Sequence, residues 1–294
     1  MEELLKIGSL EKRYDGFSLS IAALSVAPGT VVGLVGSNGA GKTTTLKAAL
    51  GLIAPDGGTI EMLGQRIAVG SSTIDKVKAQ VGIVLDTCAF PSTFRVKDAA
   101  TLGKAAYATW DQQLFYQLRD QFELPEKKTV AKLSRGMGMK LSLAFALAHH
   151  PQLLVLDEAT AGLDPIAREE VLDILRRFME YDGHGILMST HITSDLEKIA
   201  DEVVCIDNGR IVFDLEKEAI SDQAAIARCR QQDMEAIVAS GMFDEGSMRF
   251  ISHGFSTDLL VPDRFAFARQ FPDIALDRAT IEDYMTLSLK GETR

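Results

Sequence analysis

The residues with the clearest chemistry lie in three short segments that each follow an apolar run. Residues 36–43 read GSNGAGKT, which fits the pattern GxxxxGK[ST]; residues 157 and 158 are the acidic pair Asp157-Glu158; and residue 191 is a histidine. Glycines in the first pattern let backbone N–H groups wrap a phosphate at the positive end of the following helix. The three segments together suit cleavage of a phosphate anhydride.

Each side chain has an expected role in that chemistry. Lys42 is expected to bridge the β- and γ-phosphates, Thr43 to place its hydroxyl on Mg²⁺, and Thr44 to lie near the α-phosphate. Asp157 is expected to hold Mg²⁺ through water, and Glu158 to orient or deprotonate the attacking water. Adjacent acids after a strand are often only capping or solvated residues, but the phosphate loop favours the catalytic interpretation. The whole loop comprises Gly36, Ser37, Asn38, Gly39, Ala40, Gly41, Lys42, Thr43 and Thr44.

These segments need strands that bring them to one edge of a sheet. Apolar runs predict strands near residues 31–35, 59–63, 81–85, 153–156, 186–189 and 203–206. Two of them, 153–156 and 186–189, are apolar on both faces, which indicates a buried and mostly parallel sheet. Ligands bind such sheets at the carboxyl ends of the strands. His191 follows one strand end, so a contact with the γ-phosphate is favoured over a purely structural role.

Helical patterns complete an α/β arrangement. Helices are predicted to begin at residue 42, near 96, near 110, at 134, after 165 and at 194. Residues 87–150 place three helical patterns in succession, which indicates a helical insert. Ser194 with Glu197 predicts a capping box for the last helix. After about residue 215, a strand or hairpin at 250–261 and a helix at 279–289 predict a small α+β appendage.

Composition excludes several classes of protein. Hydrophobic residues form 46% of the 294-residue chain, so a full core is available, and no segment reaches the roughly 18 apolar residues of a membrane span. We therefore expect a soluble chain. Three widely spaced cysteines argue against a disulfide framework and a zinc site, and suit a reducing cytosol. The net charge of −10 argues against sequence-independent binding of nucleic acid.

Residues 133–137, LSRGM, predict a capped helix start that contains an unusual glycine. Ser134 can cap the helix, but Gly136 in its first turn costs roughly 0.5–1 kcal/mol relative to alanine. A glycine at this point indicates that some group approaches the helix N-terminus too closely to allow a side chain. The alternative, a helix that is merely capped, gives no reason for the glycine.

Taken in order, GSNGAGKT, LSRGM, DEAT, GLDP (residues 162–165) and His191 resemble the ATP-binding subunit of ABC transporters over residues 1–215. The resemblance implies a P-loop NTPase core of the ABC ATPase type: a mostly parallel sheet, N-terminal antiparallel strands, and a helical subdomain at about residues 87–150. Residues 216–294 would form the appendage. It also implies hydrolysis of MgATP in a head-to-tail dimer, with adenine stacked on Tyr14. The opposite subunit's ATP would then be contacted by Ser134, Arg135, Gly136, Met137 and Asp164.

Some positions depart from the family pattern. Arg135 and Met137 replace Gly and Gln of the signature LSGGQ, and Ala159 replaces the proline usual after the acidic pair. Asp86 occupies the position of the family's glutamine. A carboxylate about 4 Å from a phosphate oxygen would be repelled by roughly 4 kcal/mol at an effective dielectric constant of 20. Asp86 is therefore either a direct Mg²⁺ ligand or a residue that faces the membrane partner.

The sequence looks most like bacterial ATPases of the ABC-2 exporter type, including the YtrB-like group. This implies transmembrane permease subunits as partners, a homodimer or a heterodimer with a related ATPase, no nucleic acid, and a peripheral position at the cytoplasmic face of the cell membrane. Phe90, Phe94 and Tyr107 of the insert would contact the permease or, equally, fill the insert's own core. Two alternatives remain: a soluble ABC-type ATPase that remodels a protein or nucleoprotein complex, and a P-loop kinase.

Overall fold

The larger of two sheets carries the motif segments. In the computed structural model, which describes residues 2–68, 70, 73–244 and 246–293, this sheet has ten strands. They are β1 (Leu5–Tyr14), β2 (Phe17–Val26), β3 (Val31–Val35), β4 (Gly57–Met62), β5 (Gln65–Arg66), β6 (Val81–Val84), β7 (Leu153–Asp157), β8 (Gly185–Ser189), β9 (Glu202–Asp207) and β10 (Arg210–Glu216). Their spatial order is β5-β4-β1-β2-β10-β9-β3-β8-β7-β6.

The two halves of this sheet differ in strand direction. Strands β9, β3, β8, β7 and β6 pair in parallel, whereas β1 pairs antiparallel with both β2 and β4. All six predicted strands are present within a few residues of their expected bounds. The prediction of a mostly parallel sheet with N-terminal antiparallel strands is therefore confirmed.

Seven helices accompany the sheet within the described residues. They are α1 (Lys42–Ala49), α2 (Thr73–Lys78), α3 (Val96–Ala106), α4 (Gln112–Gln121), α5 (Arg135–Leu147), α6 (Pro165–Met179) and α7 (Thr193–Ile199). Successive residues of β7 enter different cores: Leu154 and Leu156 pack with the insert and α6, while Leu153 and Val155 pack with α1 and the N-terminal strands. This two-sided burial is the reason that the strand is apolar on both faces.

Helices α3, α4 and α5 form the helical insert around Phe145. The rings of Phe90, Tyr107 and Trp110 have their centroids 5.1, 5.8 and 5.1 Å from that of Phe145. Phe90 and Tyr107 thus pack inside the insert, which supports the core-filling alternative for these two residues. Phe94 is half-buried. None of the helices in the described part of the chain is both long and apolar enough to cross a membrane.

A second, five-stranded antiparallel sheet forms from residues 225–293. Its strands and helices are β11 (Ala225–Cys229), α8 (Gln231–Ser240), β12 (Arg249–Ser252), β13 (Thr257–Val261), α9 (Arg264–Gln270), β14 (Ala275–Arg278), α10 (Ile281–Lys290) and β15 (Glu292–Thr293), in the spatial order β14-β11-β13-β12-β15. The predicted hairpin and final helix are β12–β13 and α10. The division of the chain at residue 215 stays a prediction.

The last helix, α10, joins the second sheet to the first. Ile281 is fully buried in the core of the larger sheet, and the rings of Tyr284 and Phe213 meet edge to face at 5.0 Å. The backbone N–H of Ile281 donates to Glu197 Oε1 of α7 over 2.6 Å. The first turn of α10 is therefore anchored on α7.

The predicted capping box of α7 is wrong. The helix begins at Thr193, two residues earlier than a cap at Ser194 requires, and no side chain caps its N-terminus. The hydroxyl of Thr190 instead accepts the N–H of Ile192 at 2.9 Å. Glu197 then lies beyond the first turn, so its carboxylate is free to cap α10.

Candidate active site

The phosphate loop leads from β3 into α1, and two of its glycines are required by space as well as by conformation. Gly36 has φ +147°, and a Cβ there would lie 2.0 Å from the carbonyl oxygen of Ile206. Gly41, the N-terminal cap of α1, has φ +118°, and its Cβ would lie 2.7 Å from Leu19 Cδ1. Any side chain at either position would displace the loop, so the backbone course depends on glycine.

Lys42 turns back over the loop that precedes it. Its Nζ donates to the carbonyl oxygens of Gly36 (2.8 Å) and Ser37 (3.1 Å). Burial lowers the pKa of Lys42, and the nearby carboxylates of Glu158 and Asp157 partly oppose that change. An ammonium group held in a partly desolvated site attracts phosphate more strongly than one in water.

Asp157 and Thr43 meet at the end of β7. Asp157 Oδ1 accepts hydrogen bonds from the hydroxyls of Thr43 (3.2 Å) and Ser189. Asp157 Oδ2 is buried and has no hydrogen-bond partner among the residues that the structure describes. Buried polar atoms normally have partners, and an unpaired carboxylate oxygen beside a hydroxyl fits a hard divalent cation.

The geometry suits an ion that keeps most of its own waters. Within the described ranges, no group of three or more His, Cys, Asp and Glu side chains converges as a cluster of metal ligands. Mg²⁺ commonly uses only one or two carboxylates from the protein, together with phosphates and waters. The donor set at Thr43 and Asp157 therefore fits Mg²⁺.

Glu158 has a strained backbone and a histidine partner. Its φ is +54°, a left-handed conformation that non-glycine residues rarely adopt and that costs of order 1–3 kcal/mol. Its N–H donates to the carbonyl oxygen of Ser189 (2.9 Å), and its Oε2 lies 2.6 Å from His191 Nδ1. The side chain of His191 is 55% exposed and that of Glu158 only 14%. The pair thus places an inner carboxylate behind an outer imidazole.

A cavity of about 460 Å³ joins these groups. Its walls contain most of the predicted site: Tyr14, Asn38, Gly39, Gly41, Lys42, Thr43, Thr44, Asp86, Glu158 and His191, together with Phe17 and Arg135. Tyr14 is 47% exposed, and it packs near Phe17 with a centroid distance of 6.5 Å. The hydrophobic edge formed by these two rings suits a flat aromatic group.

The signature residues lie beside a second groove, of about 330 Å³, on the same chain. Ser134, Gly136, Met137 and Asp164 line this groove and not the cavity, whereas Arg135 lines both. That placement of Arg135 in its own subunit's cavity was not predicted from the sequence. Ser134 caps α5 as predicted, because its hydroxyl accepts the N–H of Met137 at 3.2 Å.

Packing within the same chain gives a second reason for the glycine at position 136. A Cβ at Gly136 would lie 2.8 Å from Leu163 Cδ2 and 3.8 Å from the carbonyl oxygen of Gly162. A side chain at position 136 would displace the end of the Leu163 side chain, so the packing of α5 on residues 162–163 of the same chain also favours glycine. The contact with the other subunit's ATP stays a prediction.

Two residues of the site were missed at the level of sequence. Phe17 faces Tyr14 directly across the β1–β2 turn, and Ser189 donates its hydroxyl to Asp157. The turn Asp15-Gly16 is a strong hairpin signal that would have paired Tyr14 with Phe17. Ser189 is the one polar residue in its apolar run, and the register of β8 beside β7 places it opposite Asp157.

Comparison with known proteins identifies the family. A family model described as ABC transporter matches residues 19–161. The chain is 28% identical to the bacitracin transport ATP-binding protein BcrA of Bacillus licheniformis, over 100% of this chain and 99% of that protein. It is 38% identical to the Nod factor export ATP-binding protein I of Burkholderia pseudomallei, over 68% of this chain and 67% of that protein.

A solved structure agrees with these sequence matches. The ATP-binding subunit of an ABC transporter superposes with a TM-score of 0.67 at 29% identity, covering 74% of this chain and 91% of that one. The resemblance drawn from the motifs is confirmed, and with it the binding and hydrolysis of ATP. The chain belongs to the ABC transporter family, as an ATP-binding subunit.

Proposed function

We propose that this chain hydrolyses MgATP in a head-to-tail dimer and so drives export through separate membrane subunits. The observation that carries the proposal is the meeting of Lys42, Thr43, Glu158 and His191 around one cavity. Asp157 lies behind this wall and accepts a hydrogen bond from Thr43. These groups supply a phosphate cradle, a cation site and a general base. A P-loop kinase would also need a pocket for a second substrate that accepts the phosphate, whereas these groups are sufficient for transfer of the phosphate to water.

Each group has one task in the proposed mechanism. Backbone N–H groups of the loop and the ammonium of Lys42 bind the phosphates, while Tyr14 and Phe17 hold the adenine. Thr43 and Asp157 would hold Mg²⁺, with Asp86 as a further candidate ligand, and the ion would neutralise charge on the phosphate oxygens.

Glu158 accepts the proton of the attacking water in this mechanism. Its hydrogen bond to His191 Nδ1 at 2.6 Å fixes the carboxylate, and the ring of His191, which lines the cavity, would contact the γ-phosphate. The left-handed backbone of Glu158 also holds the carboxylate in place, since strain of this kind persists only where the surroundings determine it.

Export and the membrane partner are inferred from relatives. One similar protein is named for the export of Nod factor, and BcrA, which matches along its whole length, is named for bacitracin transport. Permease subunits would then hold this chain at the cytoplasmic face of a bacterial membrane. A homodimer or a heterodimer with a related ATPase would both satisfy the head-to-tail arrangement, in which Ser134, Arg135, Gly136, Met137 and Asp164 contact the opposite ATP.

The test of hydrolysis is Glu158→Gln. We expect the variant to bind MgATP and to hydrolyse it at least about a hundredfold more slowly, because a positioned general base typically raises a reaction rate by 10²–10⁴. It should also accumulate as an ATP-bound dimer in size-exclusion chromatography. Glu235→Gln, the same change at an exposed position of α8, is the control and should hydrolyse normally. Near-normal turnover in Glu158→Gln would remove Glu158 from the mechanism.

The test of the membrane role is purification from detergent-solubilised membranes of the native cell. With a tag on this chain, we expect a multi-span membrane protein to copurify, and its amount to rise with Glu158→Gln and ATP. Recovery of only ribosomal, nucleoprotein or other water-soluble partners would favour the alternative, an ABC-type ATPase that remodels such complexes.

A further inference from the structure

Helices α6 and α7 continue the two strands whose ends carry Glu158 and His191. Glu158 follows β7 and leads through a short loop into α6, while His191 follows β8 and leads directly into α7. Strands β7 and β8 are fixed in register, with Asp157 opposite Ser189. The remaining freedom of the Glu158–His191 pair therefore depends on how the two helices sit against each other.

An ion pair with a buried carboxylate connects the first turns of these helices. Asp195, in the first turn of α7, is 1% exposed, and its Oδ1 lies 4.0 Å from Nε of Arg168, which is one turn into α6. In the part of the chain that the structure describes, both Arg168 Nε and Asp195 Oδ2 are buried without a hydrogen-bond partner. An N–H donor and a carboxylate this close would form a hydrogen bond if the helices approached by about 1 Å.

We propose that Arg168 and Asp195 are positioning residues for hydrolysis, which hold α6 against α7 so that Glu158 and His191 meet. The inference rests on the proposed role of Glu158. Arg168 and Asp195 line neither the cavity nor the groove, so they act through the two helices and not on ATP. The burial of Asp195 also strengthens the link, because removing Arg168 leaves a buried carboxylate without a compensating charge.

The same two helices supply a matched control. Glu169 of α6 and Lys198 of α7 form a second ion pair with the charges reversed, and their side chains are 43% and 46% exposed. Exposed pairs of this kind contribute little. Both pairs bridge the same elements with the same charge types, so only burial and distance from the strand ends distinguish them.

The experiment compares Asp195→Asn, Arg168→Gln, their double variant and Lys198→Gln. We expect Asp195→Asn to lower kcat at least about tenfold, since a misplacement of reacting groups by about 1 Å can lower a rate by about 10². The KM for ATP should stay within about twofold, because the phosphate loop is untouched. The double variant should lose no more than the worse single variant, because residues in one pair are not additive. Lys198→Gln should match the wild type.

Thermal unfolding of each variant separates positioning from folding. Rates are expressed per folded protein, and if Asp195→Asn does not fold, Arg168→Gln, whose side chain is 28% exposed, provides the same comparison. Unchanged kcat in both single variants, losses that multiply in the double variant, or an equal loss in Lys198→Gln would overturn the inference. Turnover that survives Glu158→Gln would instead overturn the proposed function.

Discussion

Among single residues, Asp86 shows how one charge changes a nucleotide site. It is exposed and lines the same cavity as Thr43 and Glu158. A carboxylate binds a hard cation more strongly than an amide does. We expect Asp86→Gln to raise the Mg²⁺ concentration needed for half-maximal ATPase activity severalfold, as measured by titration at saturating ATP.

The control for this titration is Asp182→Asn, an exposed acid outside the cavity. It should leave the Mg²⁺ requirement unchanged, because it removes the same charge from a place that does not face the nucleotide. If Asp86→Gln gives the wild-type titration as well, Asp86 does not ligate the ion, and the role of facing the membrane partner is favoured.

His149 is a single buried group whose protonation should weaken the fold. It is 1% exposed, its ring stacks on Tyr107 at 4.1 Å, and burial lowers its pKa. The unfolded chain then binds the proton more readily, so the stability from neutral His149 is present above about pH 6.5 and is lost as the pH falls below it. The unfolding free energy of the wild type should fall as the pH is lowered from about 7.5 to 5.5. We expect this fall to be smaller by about 1 kcal/mol in His149→Phe.

Urea unfolding at several pH values measures this difference. His253→Phe is the control, because His253 is half exposed and lies beside Asp258 in the second sheet. The change that it causes gives the contribution of an exposed histidine, with which the effect of His149→Phe is compared. Identical pH profiles for wild type and His149→Phe would show that the buried imidazole accepts a proton without cost.

Among elements, the antiparallel pair β9–β10 contains an acid, Glu202, whose ionisation should weaken the fold as the pH rises. Glu202 lies opposite Glu216, with Asp214 nearby. Burial, followed by a hydrogen bond to Asp214 and repulsion by both acids, raises the pKa of Glu202 to about 7. The folded chain therefore binds this proton more tightly, and stability is lost as the pH rises from about 4.5 through 7.

Replacing Glu202 by Gln should stabilise this strand pair at alkaline pH. We expect the unfolding free energy of Glu202→Gln to exceed that of the wild type by about 1–2 kcal/mol at pH 8. This is less than the full shift of the Glu202 pKa corresponds to, because the site is partly solvated. Near pH 5 the two proteins should have the same unfolding free energy. Glu218→Gln, at an exposed position, should change neither value. A gain of equal size at both pH values would point to packing and not to charge.

At the scale of the whole molecule, Ser134, Gly136 and Met137 line the groove, whereas the phosphate loop of the same chain lines the cavity. In a head-to-tail dimer each complete site would combine Lys42 of one chain with Ser134 of the other. We expect Lys42→Ala and Ser134→Arg to be inactive alone. Mixed, half of the dimers would be heterodimers with one intact site of two, so about a quarter of the wild-type ATPase activity should return.

Crosslinking of differently tagged chains verifies that mixed dimers form. The figure of a quarter assumes that the chain pairs with itself and that the two sites are independent. Full activity in Ser134→Arg alone would make the opposite-subunit role wrong, and LSRGM would then be a capped helix start packed on Leu163. Mixed dimers without recovered activity would indicate either tightly coupled sites or a wrong assignment.

How much of this molecule was predictable depends on whether a feature is local in sequence. The phosphate loop, the buried strand before Asp157 and the cap at Ser134 were predicted because each is contained in a few neighbouring residues. The neighbour of Gly136, Leu163, was not predicted, because that contact depends on how α5 packs against the loop before α6. Glu197 was misassigned for the same reason: its partner, Ile281, is 84 residues away.

The hydrogen bond between Glu197 and Ile281 also constrains how this sequence can evolve. It joins α10 to the helix that follows His191, and Tyr284 adds an aromatic contact with Phe213. A substitution in α10 therefore changes the surroundings of the helix that follows His191, although the two segments lie far apart along the chain. We expect residues of α7 and α10 to covary among homologues that retain both sheets, and a related ATPase that lacks α10 to have a different residue at position 197.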